Sequence, residues 1–325
     1  MIVPEYWAEA KCRDIIDGSQ LTIQRFGWSD VSQAEANSNA HERAQEAMTR
    51  ARNGEKVRKI DHKVSYNGAE GLPIREEIIS RHGDVVITRN VYGALCLNSP
   101  DVLFADIDSL IKEYEPGWKL FVLLSVISLS TAYLYFNKLS LAIPILLVAH
   151  FFLVPLLVNL FMNLKIRVFG GERAIIEKAI ADYISKHPRA NLHLYKTPNG
   201  YRILAMHQLF SPGEEDATEL LNALYSDPLY IRMCKNQKCF RARISPKPWR
   251  IGIKRLGPRP GVWPIKASHL PARSAWIKSY EKKNKEFSSC RFIGKFGSDN
   301  VESKALGIKE LHDHFCQSTQ DLPLA

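Results

Sequence analysis

Acidic residues are in short supply: 34 Asp and Glu stand against 44 Lys and Arg in 325 residues, for a formal charge of +10 and a pI near 9.2. That balance excludes a predominantly acidic surface and favours an anionic partner, whether nucleic acid, nucleotide or an acidic lipid surface. Between 231 and 266 the shortage is complete. A disulfide framework is lacking too, because Cys12, Cys96, Cys234, Cys239, Cys290 and Cys316 are scattered through a chain too long to need one. They are expected to be reduced thiols. The opening stretch, Met1 to Asp14, mixes Glu5, Glu9, Lys11 and Arg13 with isolated apolar residues and so lacks the apolar block expected of a secretory signal. With 46% hydrophobic residues the chain can bury a sizeable core, which excludes a disordered protein.

Charge of either sign is missing from two further runs, 120–136 and 141–164, separated only by Asn137-Lys138-Leu139-Ser140. Each approaches the roughly 20 apolar residues that span a hydrocarbon core. So short a connection makes the two helices antiparallel, and a transmembrane helical hairpin is expected over 117–164. Lys119, Lys165 and Arg167 outside the spans outnumber Lys138 in the turn, which puts both termini in the cytoplasm and the chain in a bacterial inner (cytoplasmic) membrane, with the lipid bilayer as a partner.

Elsewhere the pattern is α+β. A strand over 21–26 precedes a helix over 30–52, capped by Ser29 or Asp30, whose regularly spaced alanines suit close packing on a sheet. Pro73 is expected to open a short helix over 74–81 that Gly83 stops. Three β-rich runs, 85–89, 93–98 and 102–107, then suggest a meander. Beyond the hairpin come a helix over 171–187, strands over 191–197 and 201–207 joined by Pro198-Asn199-Gly200, a helix over 214–225, and a strand near Tyr230 or Phe240. With the hairpin removed, the order from Val102 is strand, helix, strand, strand, helix, strand. That order predicts a ferredoxin-like split β-α-β sheet domain interrupted by the two-helix transmembrane hairpin. The expected organisation is an N-terminal strand–helix region over 1–71, an α+β core over 72–116 and 165–245, the hairpin over 117–164, and a basic proline-rich arm with a C-terminal region over 246–325.

The run Val102-Leu103-Phe104-Ala105-Asp106-Ile107-Asp108 sets two carboxylates two residues apart at the end of an apolar strand. Side chains at that spacing share a face, so Asp106 and Asp108 can both reach one hard cation such as Mg²⁺. Carboxylates at a strand end also serve as plain turn formers. The order of elements, the Asp106-x-Asp108 pair and the hairpin at Thr197-Pro198-Asn199-Gly200 resemble the catalytic palm of archaeo-eukaryotic-type primase-polymerases. The resemblance implies metal-dependent phosphoryl or nucleotidyl transfer, with Asp106 and Asp108 as catalytic and metal-binding residues. The match departs from that family at Tyr201 and Arg202, where its second motif has a histidine, and Asp227 is the nearest option for a third acid. Over nearly its full length the chain also resembles a family of uncharacterised bacterial two-span membrane proteins, through Arg25-Phe26-Gly27-Trp28-Ser29, Thr88-Arg89-Asn90-x-Tyr92-Gly93, Phe240-Arg241-Ala242-Arg243 and Pro246-Lys247-Pro248-Trp249-Arg250. This second likeness implies no activity.

Between 231 and 266, eleven Lys and Arg side chains are interleaved with Phe240, Trp249 and Trp263, while five prolines forbid a continuous helix. Arginine forks suit phosphate, and the aromatic rings suit bases or a lipid interface. Arg202, Arg241, Arg243, Lys247 and Arg250 are the expected phosphate-binding residues. Cys234, Cys239, His312, His314 and Cys316 could in principle join as a zinc site, but nothing in the sequence brings the two groups together, and buried thiols are the expectation. The sequence thus predicts a membrane-anchored domain that binds nucleotide or nucleic acid phosphate, with or without metal-dependent transfer. The competing reading is a non-catalytic interaction protein whose basic arm grips anionic lipid headgroups.

Overall fold

Two residues with positive φ, Asp17 (51°) and Gly18 (73°), close the first hairpin of the chain. That Asp-Gly pair turns β1 (Tyr6–Ile16) back onto β2 (Ser19–Ser29) with Ile16 opposite Ser19, as a two-residue hairpin loop requires. The computed structural model describes residues 3–61, 72–109, 130, 160, 164, 168, 170–257, 261 and 263–325.

On this hairpin lies α1 (Gln33–Arg52), begun by Ser32, whose hydroxyl accepts from the Glu35 amide at 3.2 Å. Its buried face is Ala36, Ala40, Ala44, Ala47 and Met48, the small-residue stripe that allows close approach. The approach is close enough to require a glycine in the strand. A Cβ on Gly27 would stand 2.2 Å from the Ala40 amide nitrogen and 2.3 Å from the Ala36 carbonyl oxygen.

A four-stranded antiparallel sheet follows in the order β3 (Glu77–His82), β4 (Val85–Arg89), β5 (Leu95–Ser99), β9 (Phe240–Arg243). The stretch expected as a helix over 74–81 instead enters a strand at Glu77. Ile78 and Ile79 are β-branched, and Gly83-Asp84, with Gly83 at φ 62°, makes the two-residue turn that pairs His82 with Val85.

The second four-stranded sheet has the order β10 (Arg291–Gly297), β7 (Asn191–Thr197), β8 (Gly200–Ala205), β6 (Phe104–Asp108), all antiparallel. Here β6, expected as the last strand of a meander, leaves β5 and pairs with β8 instead. The strand expected to complete the split β-α-β order, β9, pairs with β5 in the other sheet, and β6 and β9 approach each other where the two sheets meet. The remaining helices described are α2 (Gly171–Lys186), α3 (Glu215–Ala223), α4 (Pro228–Gln237), α5 (Leu270–Asn284) and α6 (Ser303–Cys316). The class is α+β. Apolar strand residues such as Ile87, Leu97, Phe104, Leu192, Leu194, Ile203 and Phe240 form the buried interior of the sheets.

By packing, the chain divides into one unit of Met1–Asp108 with Tyr183–Ala325 and another of Ser109–Asp182. The described part of the second is chiefly the start of α2, which carries an ion pair between Arg173 and Glu177 at 2.7 Å.

The hairpin expected over 117–164 lies outside the described residues, apart from the isolated positions 130, 160 and 164. Among the described residues no helix is long and apolar enough to cross a membrane. The longest, α1, has 20 residues but includes Glu35, Glu42, Arg43, Glu46, Arg50 and Arg52, whose charges are costly in hydrocarbon. On that finding the expectations of an integral membrane protein with a transmembrane helix, and of a bacterial inner-membrane location with cytoplasmic termini, are corrected.

Candidate functional site

Where β6 ends beside β9, a cleft of about 350 Å³ opens within the first unit. The alternation of β6 buries Phe104, Ala105 and Ile107 and turns Asp106 and Asp108 toward the cleft, as their i, i+2 spacing requires. Asp227 joins them as the N-cap of α4, accepting from the Leu229 amide at 3.2 Å, while its own amide donates to the Asp106 carbonyl at 3.3 Å. Arg243 and Lys247 line the same cleft from β9 and the segment after it, and Asn199 comes from the β7–β8 turn. Acidic and basic walls thus share one opening.

Behind this wall lies Arg202, directly opposite Asp106 in the β6–β8 register. Its Nη2 donates to Asp106 Oδ1 at 3.3 Å and its Nη1 to the Arg243 carbonyl at 2.8 Å. One guanidinium therefore ties the acidic strand to the basic one. Burial works against its charge, but the Asp106 carboxylate, with Cys290 and Cys316 nearby, raises the Arg202 pKa above the ordinary arginine value. Tyr230, on α4, adds a second tie, donating from its hydroxyl to the Phe104 carbonyl at 2.7 Å and accepting from the Arg241 amide at 3.3 Å.

Among the expected phosphate-binding residues, Arg243 and Lys247 line the opening, whereas the other three stand differently. Arg241 reaches the cleft but gives Nη2 to both Glu76 oxygens, at 2.7 and 2.6 Å. Burial opposes its charge, and Cys96 and Glu76 together raise its pKa well above the usual value. Arg202 is sealed behind Asp106. Arg250 is not in the lining, although it is close enough to Arg243 for repulsion to add to burial in lowering its pKa, and its Nη1 is buried without a hydrogen-bond partner among the described residues.

Lys247 feels the same crowding: burial first, then Arg243 and Arg250, push its pKa down, against the pull of Asp108 and Asp106. An anion in the cleft would relieve that repulsion. The carboxylates are hard oxygen donors of the kind Mg²⁺ takes, so the donor set fits a hard dication. Asp106, Asp108 and Asp227 do not gather as a preformed three-ligand cluster. Among the described residues, the group of three or more that does is Cys290, His312 and Cys316.

Sequence reasoning missed Glu76, Asn90, Tyr92 and Tyr230 in this lining. Asn90 and Tyr92 lie in the Thr88–Gly93 block, whose tight turn was the available signal: the Asn90 side chain accepts from the Ala94 amide at 3.0 Å. The cysteines are free, with Cys12 half-buried and the other five buried.

No family model, no curated protein and no solved structure matches the chain.

Proposed function

We propose that the cleft binds the phosphates of a nucleotide or nucleic acid, that Asp106 and Asp108 hold Mg²⁺ there, and that the chemistry is phosphoryl or nucleotidyl transfer. One observation carries the reading: two carboxylates of a single strand open onto the same space as Arg243 and Lys247. A wall of one sign would favour a simple ion site, whereas opposed walls suit a ligand whose negative charge is shared between a dication and basic side chains. The volume falls at the small end of the range for ligand pockets, about 300–1,000 Å³.

Each residue has a separate task. Mg²⁺, when bound, supplies positive charge against the phosphate oxygens. Arg243 offers a planar fork for phosphate, and Lys247 offers a point charge whose repulsion by its neighbours a phosphate would offset. Arg202 and Arg241 act as positioning residues, the first holding Asp106 and the second fixing Glu76. In this reading β6, β7 and β8 are the strands of a ferredoxin-like palm similar to that of primase-polymerases, whose fourth strand has been given to the neighbouring sheet. Asp227 is the third acid.

Calorimetric titration of the full chain with a nucleoside triphosphate, with and without Mg²⁺, tests this, alongside an assay for released phosphate or pyrophosphate. The expected result is Mg²⁺-dependent binding with turnover, both lost in Asp108→Asn. Binding without turnover would reduce the proposal to a non-catalytic phosphate site. Absence of binding under all conditions would remove it.

A further inference from the structure

The sequence gives no spacing that joins Cys290 to the C-terminal helix, yet the fold does. His312 and Cys316 are four residues apart on α6 and so share one face, and Cys290 stands just before β10 against that face. All three are fully sealed from solvent. Their ligand atoms lie within 4.8 Å of one another, and Cys290 Sγ is 3.8 Å from His312 Nε2.

We infer that Cys290, His312 and Cys316 bind a zinc ion. Two sulfurs and an imidazole are soft-to-borderline donors, the set that selects Zn²⁺ over Mg²⁺ or Ca²⁺. The outer shell is in place as well. His312 Nδ1 lies 3.1 Å from Asp313 Oδ1, and Lys309 Nζ holds the other oxygen of Asp313 at 2.7 Å. A carboxylate on the far nitrogen fixes the ring and directs Nε2 at the metal, as in carboxylate–histidine–zinc arrangements. Arg202 Nη1, 3.3 Å from Nε2, can only donate. Nε2 has a single lone pair, so zinc would take it in place of that contact, and Nη1 would keep its bond to the Arg243 carbonyl at 2.8 Å.

Charge is compatible with the assignment. Two thiolates neutralise the dication, while Asp106 and Asp313 face the two cations closest to the group, Arg202 and Lys309. Three protein donors leave the fourth tetrahedral position to a small ligand such as water. His314, two residues along the helix, is exposed and takes no part, and Cys234 and Cys239 are not members of the group. The site lies behind the cleft with Arg202 between the two, shares none of the residues that line it, and does not depend on the function proposed for it.

The test is metal analysis of the full chain, purified without chelator and dialysed against metal-free buffer, followed by cobalt substitution. One zinc per chain is expected, with a sulfur-to-cobalt charge-transfer band after exchange. Cys12→Ser should keep the metal, and Cys316→Ser should lose it. The cobalt spectrum is read on the unaltered sequence, so the inference stays testable even if Cys316→Ser fails to fold. Chain that is folded, reduced and free of zinc, and that shows no charge-transfer band with cobalt, would overturn it. So would a Cys290–Cys316 disulfide found by mass spectrometry in freshly isolated protein.

Discussion

Arg202 and Asp106 face each other across the β6–β8 ladder, Nη2 to Oδ1 at 3.3 Å, with the guanidinium sealed from water and the carboxylate 40% exposed. The pair joins interior to cleft: Arg202 also holds the Arg243 carbonyl, so its removal disturbs both walls at once. Arg202→Leu is expected to lower stability by about 2 kcal/mol, the scale of hydrogen bonds to a charged group after discounting the exposed carboxylate. Urea unfolding measures this. Lysine keeps the charge but cannot bridge both partners with one fork, so Arg202→Lys should recover only part of the loss.

The seat of α1 on the first hairpin makes a sharper steric prediction. At Gly27 a methyl group would run into the backbone of Ala36 and Ala40, which has no flexible side chain to move aside. Gly27→Ala should cost about 3 kcal/mol, the upper end of overpacking penalties. Thermal unfolding followed by circular dichroism is the check, and an unchanged midpoint would mean that helix and strand are farther apart.

That contact was partly legible beforehand, since the alanine spacing announced a helix lying close on a sheet, but β1, the strand that pairs with β2, was not. Charged residues alternate along Tyr6–Ile16 and most of its length is half-buried or exposed, so its apolar signal is weak. The Asp17-Gly18 turn was the cue. For residues 74–81 the proline start signal outweighed β-branching, and pairing with β4 decided the outcome. In the cleft, Asp106 and Asp108 were readable because a strand's period of two fixes their common face. For a third acid the sequence offered Asp227 only as the nearest option. Glu76, Tyr230 and the Arg202 tie were not readable, because each depends on pairings between residues up to 165 positions apart. The cluster of Cys290 with α6 was hidden for the same reason.

Crowded basic groups imply a conflict between stability and binding. The folded-state pKa of Lys247 is lowered from 10.5, mainly by burial and then by Arg243 and Arg250. A lysine shifted downward disfavours the folded state while it is charged in both states, and this cost fades as pH rises from the folded pKa toward 10.5. Lys247→Met should therefore leave the ligand-free protein at least as stable at neutral pH, while weakening nucleotide binding about tenfold, or ~1.4 kcal/mol. Paired unfolding and calorimetry would show both. Lower stability together with unchanged affinity would contradict the assignment.

Acid sensitivity is expected from His193 on β7. Burial, and to a smaller extent Lys309, lower its pKa from 6.5 to about 4. The folded state prefers the neutral ring, so His193 destabilises the fold as pH falls from 6.5 toward about 4, and the loss is complete below that. The effect is on the order of 2 kcal/mol, discounted for incomplete burial. His193→Gln should flatten the pH dependence of urea unfolding over that window. An identical slope in both proteins would show that this ring already titrates normally.

The cleft itself is tested most directly by manganese, a paramagnetic substitute for Mg²⁺ that takes the same oxygen donors. Adding the full chain to a Mn²⁺ solution should diminish the electron paramagnetic resonance signal of the free ion, more strongly when a nucleotide is present. The Asp106→Asn, Asp108→Asn double variant, shown to be folded, should leave the signal untouched. Equal loss of signal in both proteins, or none in the unaltered chain with nucleotide, would contradict a dication held by these two carboxylates.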